Sequence, residues 1–282
     1  MDTLDGFSNY LAMNERSEAT KKNYLRTVKR MLAEPDYSLT REWIMAYREK
    51  LAENFAPVTV NNCLAAINQY IQYCGKDWKI KSLRIQKRVY MEEQRELTLE
   101  EYRRLAAAIR KNQRLYMAIQ TVCSTGIRIS ELRCLTVECL EKQTAEISCK
   151  GKIRRIYLSD QLTQKLLAYC RSRKITEGMI FITRSGAPWD RSNIWRGMKK
   201  AASLAGIPES KVYPHSLRHL FARVYYEKER DIVKLADILG HSNVETTRIY
   251  LMSAGENTGS RSMSWGWLCK MALISVRLNM KR

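Results

Sequence analysis

Histidine is scarce in this chain, three in 282 residues, and none of the three is followed by the glutamate of an HExxH pair. The commonest zinc-hydrolase arrangement is therefore missing, and no metal site is expected. The eight cysteines include no CxxC pair, and several sit inside apolar runs where a thiol behaves as a small hydrophobe, so reduced core residues are expected. No Walker loop and no carboxylate cluster suited to magnesium occurs. No apolar run reaches the roughly 18 residues that span a bilayer. The opening Met1-Asp2-Thr3-Leu4-Asp5 is not a basic-then-apolar leader, and the expectation is a cytoplasmic protein without a membrane partner. Acidic residues are also short, 29 Asp+Glu against 49 Lys+Arg, which leaves a formal charge of +20. Such an excess repels itself unless a polyanion lies nearby, and nucleic acid is the first candidate; the competing reading is charge that only confers solubility.

What is present fits two domains, each long enough to bury its own core. Residues 1–85 read as a bundle of four helices. Tyr24, Leu25, Val28, Met31 and Leu32 share one face of a helix, and Lys22, Arg26, Lys29 and Arg30 another. That cationic face is a candidate DNA-binding surface, against the alternative of a solvated face. Trp43, Ile44, Tyr47 and Leu51 mark the third helix, and Cys63, Leu64, Ile67 and Ile71 the fourth, which Gly75 is placed to end in the left-handed conformation. Between residues 86 and 96 periodicity lapses and charges accumulate, as in an exposed linker. Thr98-Leu99-Glu100-Glu101 then has the spacing of a capping box, opening a helix that is expected to run to about residue 111 and to start a second domain, 97–254.

Within that second domain, 144–149 and 153–158 have strand character and are separated by Lys150-Gly151-Lys152, a hairpin with glycine at the turn. A third strand is expected at 179–183. Helical patterns cover 115–124, 129–135, 160–171, 191–204, 217–226, 232–239 and 244–250. The fold class is thus mainly α with a small antiparallel sheet (α+β).

Six residues then stand out. Arg128 follows Thr125-Gly126-Ile127; Lys150 precedes Gly151; His215 and Arg218 lie in Pro214-His215-Ser216-Leu217-Arg218-His219; His241 lies in Leu239-Gly240-His241; and Tyr250 lies nine residues further on. A phosphodiester under attack gains negative charge on its non-bridging oxygens, and rigid, permanently protonated forks answer that need, so Arg128 and Arg218 are candidate clamps. Tyr250 is a candidate nucleophile whose phenol, with a reference pKa near ~10, must lose its proton to a base or ionise beside the arginines. His215 is the candidate general acid/base and His241 a candidate donor to the phosphoryl oxygens, while His219 is read as structural.

The types and spacings together resemble the tyrosine recombinases, also called the phage integrase family, over about 97–250; the preceding helices resemble that family's core-binding domain. The resemblance implies a site-specific recombinase that cuts and rejoins DNA through a covalent 3′-phosphotyrosyl link, without metal or other cofactor. Its plan is similar to that of two-domain Xer-like members, whether for integration, excision, inversion or dimer resolution, including mobile-element integrases. It also implies double-stranded DNA with short inverted repeats as partner and a homotetramer on that DNA. Lys150 resembles the family's mobile lysine, which protonates the departing 5′ oxygen, with Lys152 as competitor. Two other readings are a type IB topoisomerase relative and a non-catalytic DNA-binding regulator. The tail, 255–282, is unlike the family's usual ending; Trp265, Leu268, Ala272 and Val276 could form an apolar face that docks in trans.

Overall fold

The computed structural model describes residues 2–85, 96–149, 152–241 and 243–251. The chain divides into two compact units, Met1–Lys87 and Arg88–Arg282. The tail, most of the linker, Lys150 and Gly151 lie outside the described residues.

The first unit is built from α1 (Asp2–Met13), α2 (Glu18–Leu32), α3 (Arg41–Asn54) and α4 (Pro57–Tyr73). Local chemistry sets their ends. Ser17 and Thr40 cap α2 and α3 by accepting the amides of Thr20 and Trp43. Proline opens α4, where its missing N–H costs nothing, and Gly75 just beyond α4 has φ +71°. Phe7, Val28, Met31, Ile44, Leu64 and Ile67 are fully buried at the centre. On α2, Lys22, Arg26, Lys29 and Arg30 are exposed on the side away from that core. Arg30 is tied into the packing, since it donates to Cys63 Sγ at 3.3 Å and lies 5.1 Å over the Phe55 ring.

The second unit surrounds a large core, with a smaller apolar cluster formed by Phe221, Tyr225, Leu235 and Leu239. Thr98 begins α5 (Leu99–Ala108) with the capping box read from the sequence, although the helix ends three residues before the expected 111. α6 (Gln113–Thr125) is buried along almost its whole second half and ends on Gly126 at φ +67°. A 3-10 helix, Ile129–Cys134, stands where an α-helical pattern was expected, and a short α7 (Val137–Glu141) follows it. β1 (Thr144–Cys149) and β2 (Lys152–Tyr157) pair antiparallel, with Ala145 opposite Ile156 and Ile147 opposite Arg154. The third strand is not formed: Met179 and Ile182 make only isolated bridges, to Thr136 and Pro188. Their segment lies where no second full strand runs alongside, so its hydrogen bonds go to loops.

α8 (Asp160–Ser172) and α9 (Arg191–Leu204) follow, capped by Ser159 and Asp190. α10 (Pro214–Glu229) begins three residues earlier than the apolar pattern indicated, with Pro214 at its first turn, so His215 is helical rather than part of a preceding loop. α11 (Ile232–Leu239) ends on Gly240 at φ +64°, and α12 (Val244–Ile249) is a single short helix whose C-cap is Tyr250.

Candidate active site

Two chain reversals bring the proposed chemistry together. Gly126 and Gly240 end α6 and α11 in the left-handed conformation, and both turns face α10, which carries His215, Arg218 and His219. Gly126 also permits a close approach, for a Cβ there would lie 2.5 Å from the Phe221 ring.

Arg218 is the most enclosed member, 1 % exposed. Its guanidinium donates to the Gly126 carbonyl at 2.6 Å and to the Leu239 carbonyl, and it contacts His241 Nε2 at 2.9 Å. Both carbonyls belong to helix ends that lack intrahelical partners, so the arginine satisfies two C-termini at once. Burial and the neighbouring Arg128 lower its pKa to about 10, and it is still protonated at neutral pH.

His241 is fixed from both sides. A guanidinium only donates, so His241 Nε2 accepts from Arg218, and the ring proton sits on Nδ1, 2.8 Å from the Thr247 hydroxyl. Burial, followed by the charges of Arg218 and Arg128, lowers the His241 pKa to about 4. The sequence leads to the expectation that His241 donates to phosphoryl oxygens; here its Nε2 accepts from Arg218.

Tyr250 packs its ring against two histidines. Its centroid lies 5.1 Å from that of His241, nearly parallel, and 3.9 Å from that of His219. His219 Nδ1 is buried without a hydrogen-bond partner, and burial together with His215, Arg218 and His241 brings its pKa down to about 3. It is therefore a neutral ring packed against the phenol. His215, at the surface of the first turn of α10, has its pKa lowered by partial desolvation and by Arg218, Arg128 and Arg191.

Arg128 sits before the 3-10 helix and is held by Glu131. The Glu131 carboxylate accepts from the Arg128 amide at 2.7 Å and from its Nη1 at 2.8 Å. Glu131 is buried, which alone would raise its pKa, but the bonds from Arg128 and Arg154 outweigh burial and hold it below the usual value. Neither Glu131 nor Arg154 was singled out from the sequence; the three-residue step from Arg128 to Glu131 was the available signal. Lys150 lies outside the described residues, and Lys152 begins β2. Among the described residues no His/Cys/Asp/Glu group is placed to hold a metal, and no helix is long and apolar enough to cross a membrane.

Comparison with known proteins gives the same assignment twice over. The profile described as Phage integrase family matches residues 95–256, and that of the phage integrase N-terminal SAM-like domain matches residues 3–80. The tyrosine recombinase XerA of Pyrococcus furiosus is 28% identical over 258 residues, 88% of each chain. Among solved structures, a lambda integrase (75-356) dimer bound to a COC′ core site superposes with a TM-score of 0.71 at 17% identity, over 93% of this chain and 98% of that one. XerH site-specific recombinase bound to difH substrate, in a pre-cleavage complex, gives 0.64 at 19% identity, over 82% and 74%. At these identities the structural likeness speaks for the fold.

Proposed function

Given that the chain belongs to the phage integrase family and is a tyrosine-type site-specific recombinase, we propose that Tyr250 is its nucleophile and that Arg128, His215, Arg218 and His241 surround the scissile phosphate. The observation that carries this reading is the contact chain from buried Arg218 through His241 to the Tyr250 ring. The phenol oxygen bonds to phosphorus, the bond from phosphorus to the 5′ oxygen breaks, and the strand is left as a 3′-phosphotyrosyl ester. The reverse attack by a 5′ hydroxyl from a second strand rejoins DNA without an external energy source.

His215, held neutral at pH 7, takes the phenolic proton. The arriving phosphate offsets the arginine charges around His241, raises its pKa, and lets Nε2 turn from acceptor to donor. Lys150, with Lys152 as the alternative, protonates the leaving 5′ oxygen. The exposed Lys22, Arg26 and Lys29 on α2 would follow the backbone of a duplex carrying short inverted repeats. Assembly on that DNA is read as a homotetramer.

The test is covalent trapping. Duplexes selected from a random-sequence library by the full chain are nicked next to the bound centre, and the products are denatured in detergent. An adduct that disappears in Tyr250→Phe, with binding retained, is expected. An adduct retained in that variant would assign the nucleophile elsewhere. A 5′-bridging phosphorothiolate, whose sulfur leaves without a proton, should restore cleavage to Lys150→Ala and not to Arg218→Ala; restoration of Lys152→Ala alone would transfer the role to Lys152.

A further inference from the structure

The Glu131 carboxylate is shared between two arginines, and the sharing is unequal. Arg128 gives it one amide and one guanidinium bond, while Arg154 grips it end-on with both terminal nitrogens, Nη2 to Oε2 at 2.7 Å and Nη1 to Oε1 at 3.2 Å. Arg154 is the more enclosed, its side chain 14 % exposed against 30 % for Arg128. It comes from β2 and passes over Gly240, where a Cβ would lie 2.6 Å from its Nη1 and 2.8 Å from its Cδ. The left-handed glycine that turns the chain toward His241 therefore also leaves the passage through which Arg154 reaches Glu131.

A buried carboxylate that loses its only cation is left uncompensated, which resists any motion of that cation. With two arginines on one carboxylate, one positive charge is surplus, and the more exposed fork carries it. We infer that Arg154 is a positioning residue for cleavage: it is the standing counter-ion of Glu131, so that Arg128 can turn its guanidinium from Glu131 to the phosphate without leaving the carboxylate unpaired. The inference rests on the reading of Arg128 as a phosphate clamp. Without Arg154, Glu131 would keep Arg128 for itself, and the clamp would be held off the line of the phosphate.

The experiment measures adduct formation by the full chain on the selected nicked duplex at saturating DNA, together with the DNA dissociation constant and the thermal midpoint. Arg154→Met should slow the chemical step by roughly tenfold or more, the scale of a misplaced catalytic group, while DNA affinity changes little. Adding Glu131→Gln, which removes the charge that competes for Arg128, should recover most of the lost rate. A purely structural role predicts the opposite, because the two losses would then compound. If Arg154→Met does not fold, Arg154→Lys keeps a cation without the fork and should give an intermediate rate. A wild-type rate in either single variant, or a double variant slower than Arg154→Met, overturns the inference. Arg128→Ala is run beside them: its loss of adduct supports the clamp reading independently, and an unimpaired adduct would sink that reading whatever Arg154 does.

Discussion

Gly126→Ala should be costly for two separable reasons. At φ +67° an L side chain is strained by about 1–2 kcal/mol, and the new methyl would meet Phe221 Cδ1 at 2.5 Å, Phe221 Cε1 at 2.6 Å and Leu239 Cδ2 at 3.0 Å. Phe221 is 5 % exposed and packs with Tyr225, so the ring has nowhere to swing, and overpacking of this kind adds about 1–3 kcal/mol. The sum is about 2–5 kcal/mol. For a unit of this size each kcal/mol lowers Tm by about 2–4 °C. Gly206 provides the internal comparison, since its φ of +62° is similar but nothing lies within 4 Å of its missing Cβ. Gly206→Ala should therefore show only the strain, about 1–2 kcal/mol. Thermal melts of both variants read the difference directly. Because the Gly126 carbonyl accepts from Arg218, Gly126→Ala should also slow adduct formation at temperatures where the protein is still folded, and Gly206→Ala should not. Equal losses of stability in the two variants would refute the argument that close approach to Phe221 is what requires glycine at 126.

Other consequences can be checked alongside. The low pKa values of His219 and His241, about 3 and about 4, mean that the unfolded chain binds protons the folded one refuses as pH falls below the ordinary histidine value near ~6.5. Their contribution to stability is complete above that value and is lost on acidification, by up to ~1.4 kcal/mol per pH unit for each group; urea titrations between neutral and acid pH should show a shallower decline in His219→Phe, and an unchanged slope would place His219 in water. Arg218→Lys should not substitute for arginine, because one ammonium cannot reach both carbonyls and His241, and adduct formation should fall by at least ~100-fold in single-turnover assays. With His215 lowered by partial desolvation and then by its arginine neighbours, the acid limb of the cleavage rate should lie below pH ~6.5, and Arg191→Gln should move it upward; a limb that stays in place would remove Arg191 from the field at His215.

Much of the fold could be read from side-chain periodicity because the helices are short, well capped and one-sided. Thr98 with Glu101, and Gly75, Gly126 and Gly240 at φ values no other residue adopts cheaply, are local signals that tertiary contacts reinforced. The misses are of a different kind. The pattern at 129–135 contains apolar residues at helical spacing, but Glu131 turns back to the Arg128 amide, and the segment tightens to a 3-10 helix. Met179 and Ile182 have strand character without a strand to pair with. At the site, residues chosen for chemical type, Arg218, His241 and Tyr250, do meet in space. Arg154 and the ring contact of His219 depend on which elements face each other across the fold, and no spacing within one element encodes that.

Tyr250 caps α12, which is only six residues long, far fewer than the dozen or more that a helix needs to persist by its own hydrogen bonds. What keeps it wound is its surroundings: Asn243 caps its first turn, the enclosed Thr247 hydroxyl bonds to the imidazole of His241, and Tyr250 packs against the apolar cluster of α10 and α11. Amide hydrogen exchange should therefore find this segment opening long before α10 or α6, by a small excursion that leaves the rest of the unit intact. A residue carried on so short a helix can thus be displaced by local opening at a cost well below that of unfolding the whole unit.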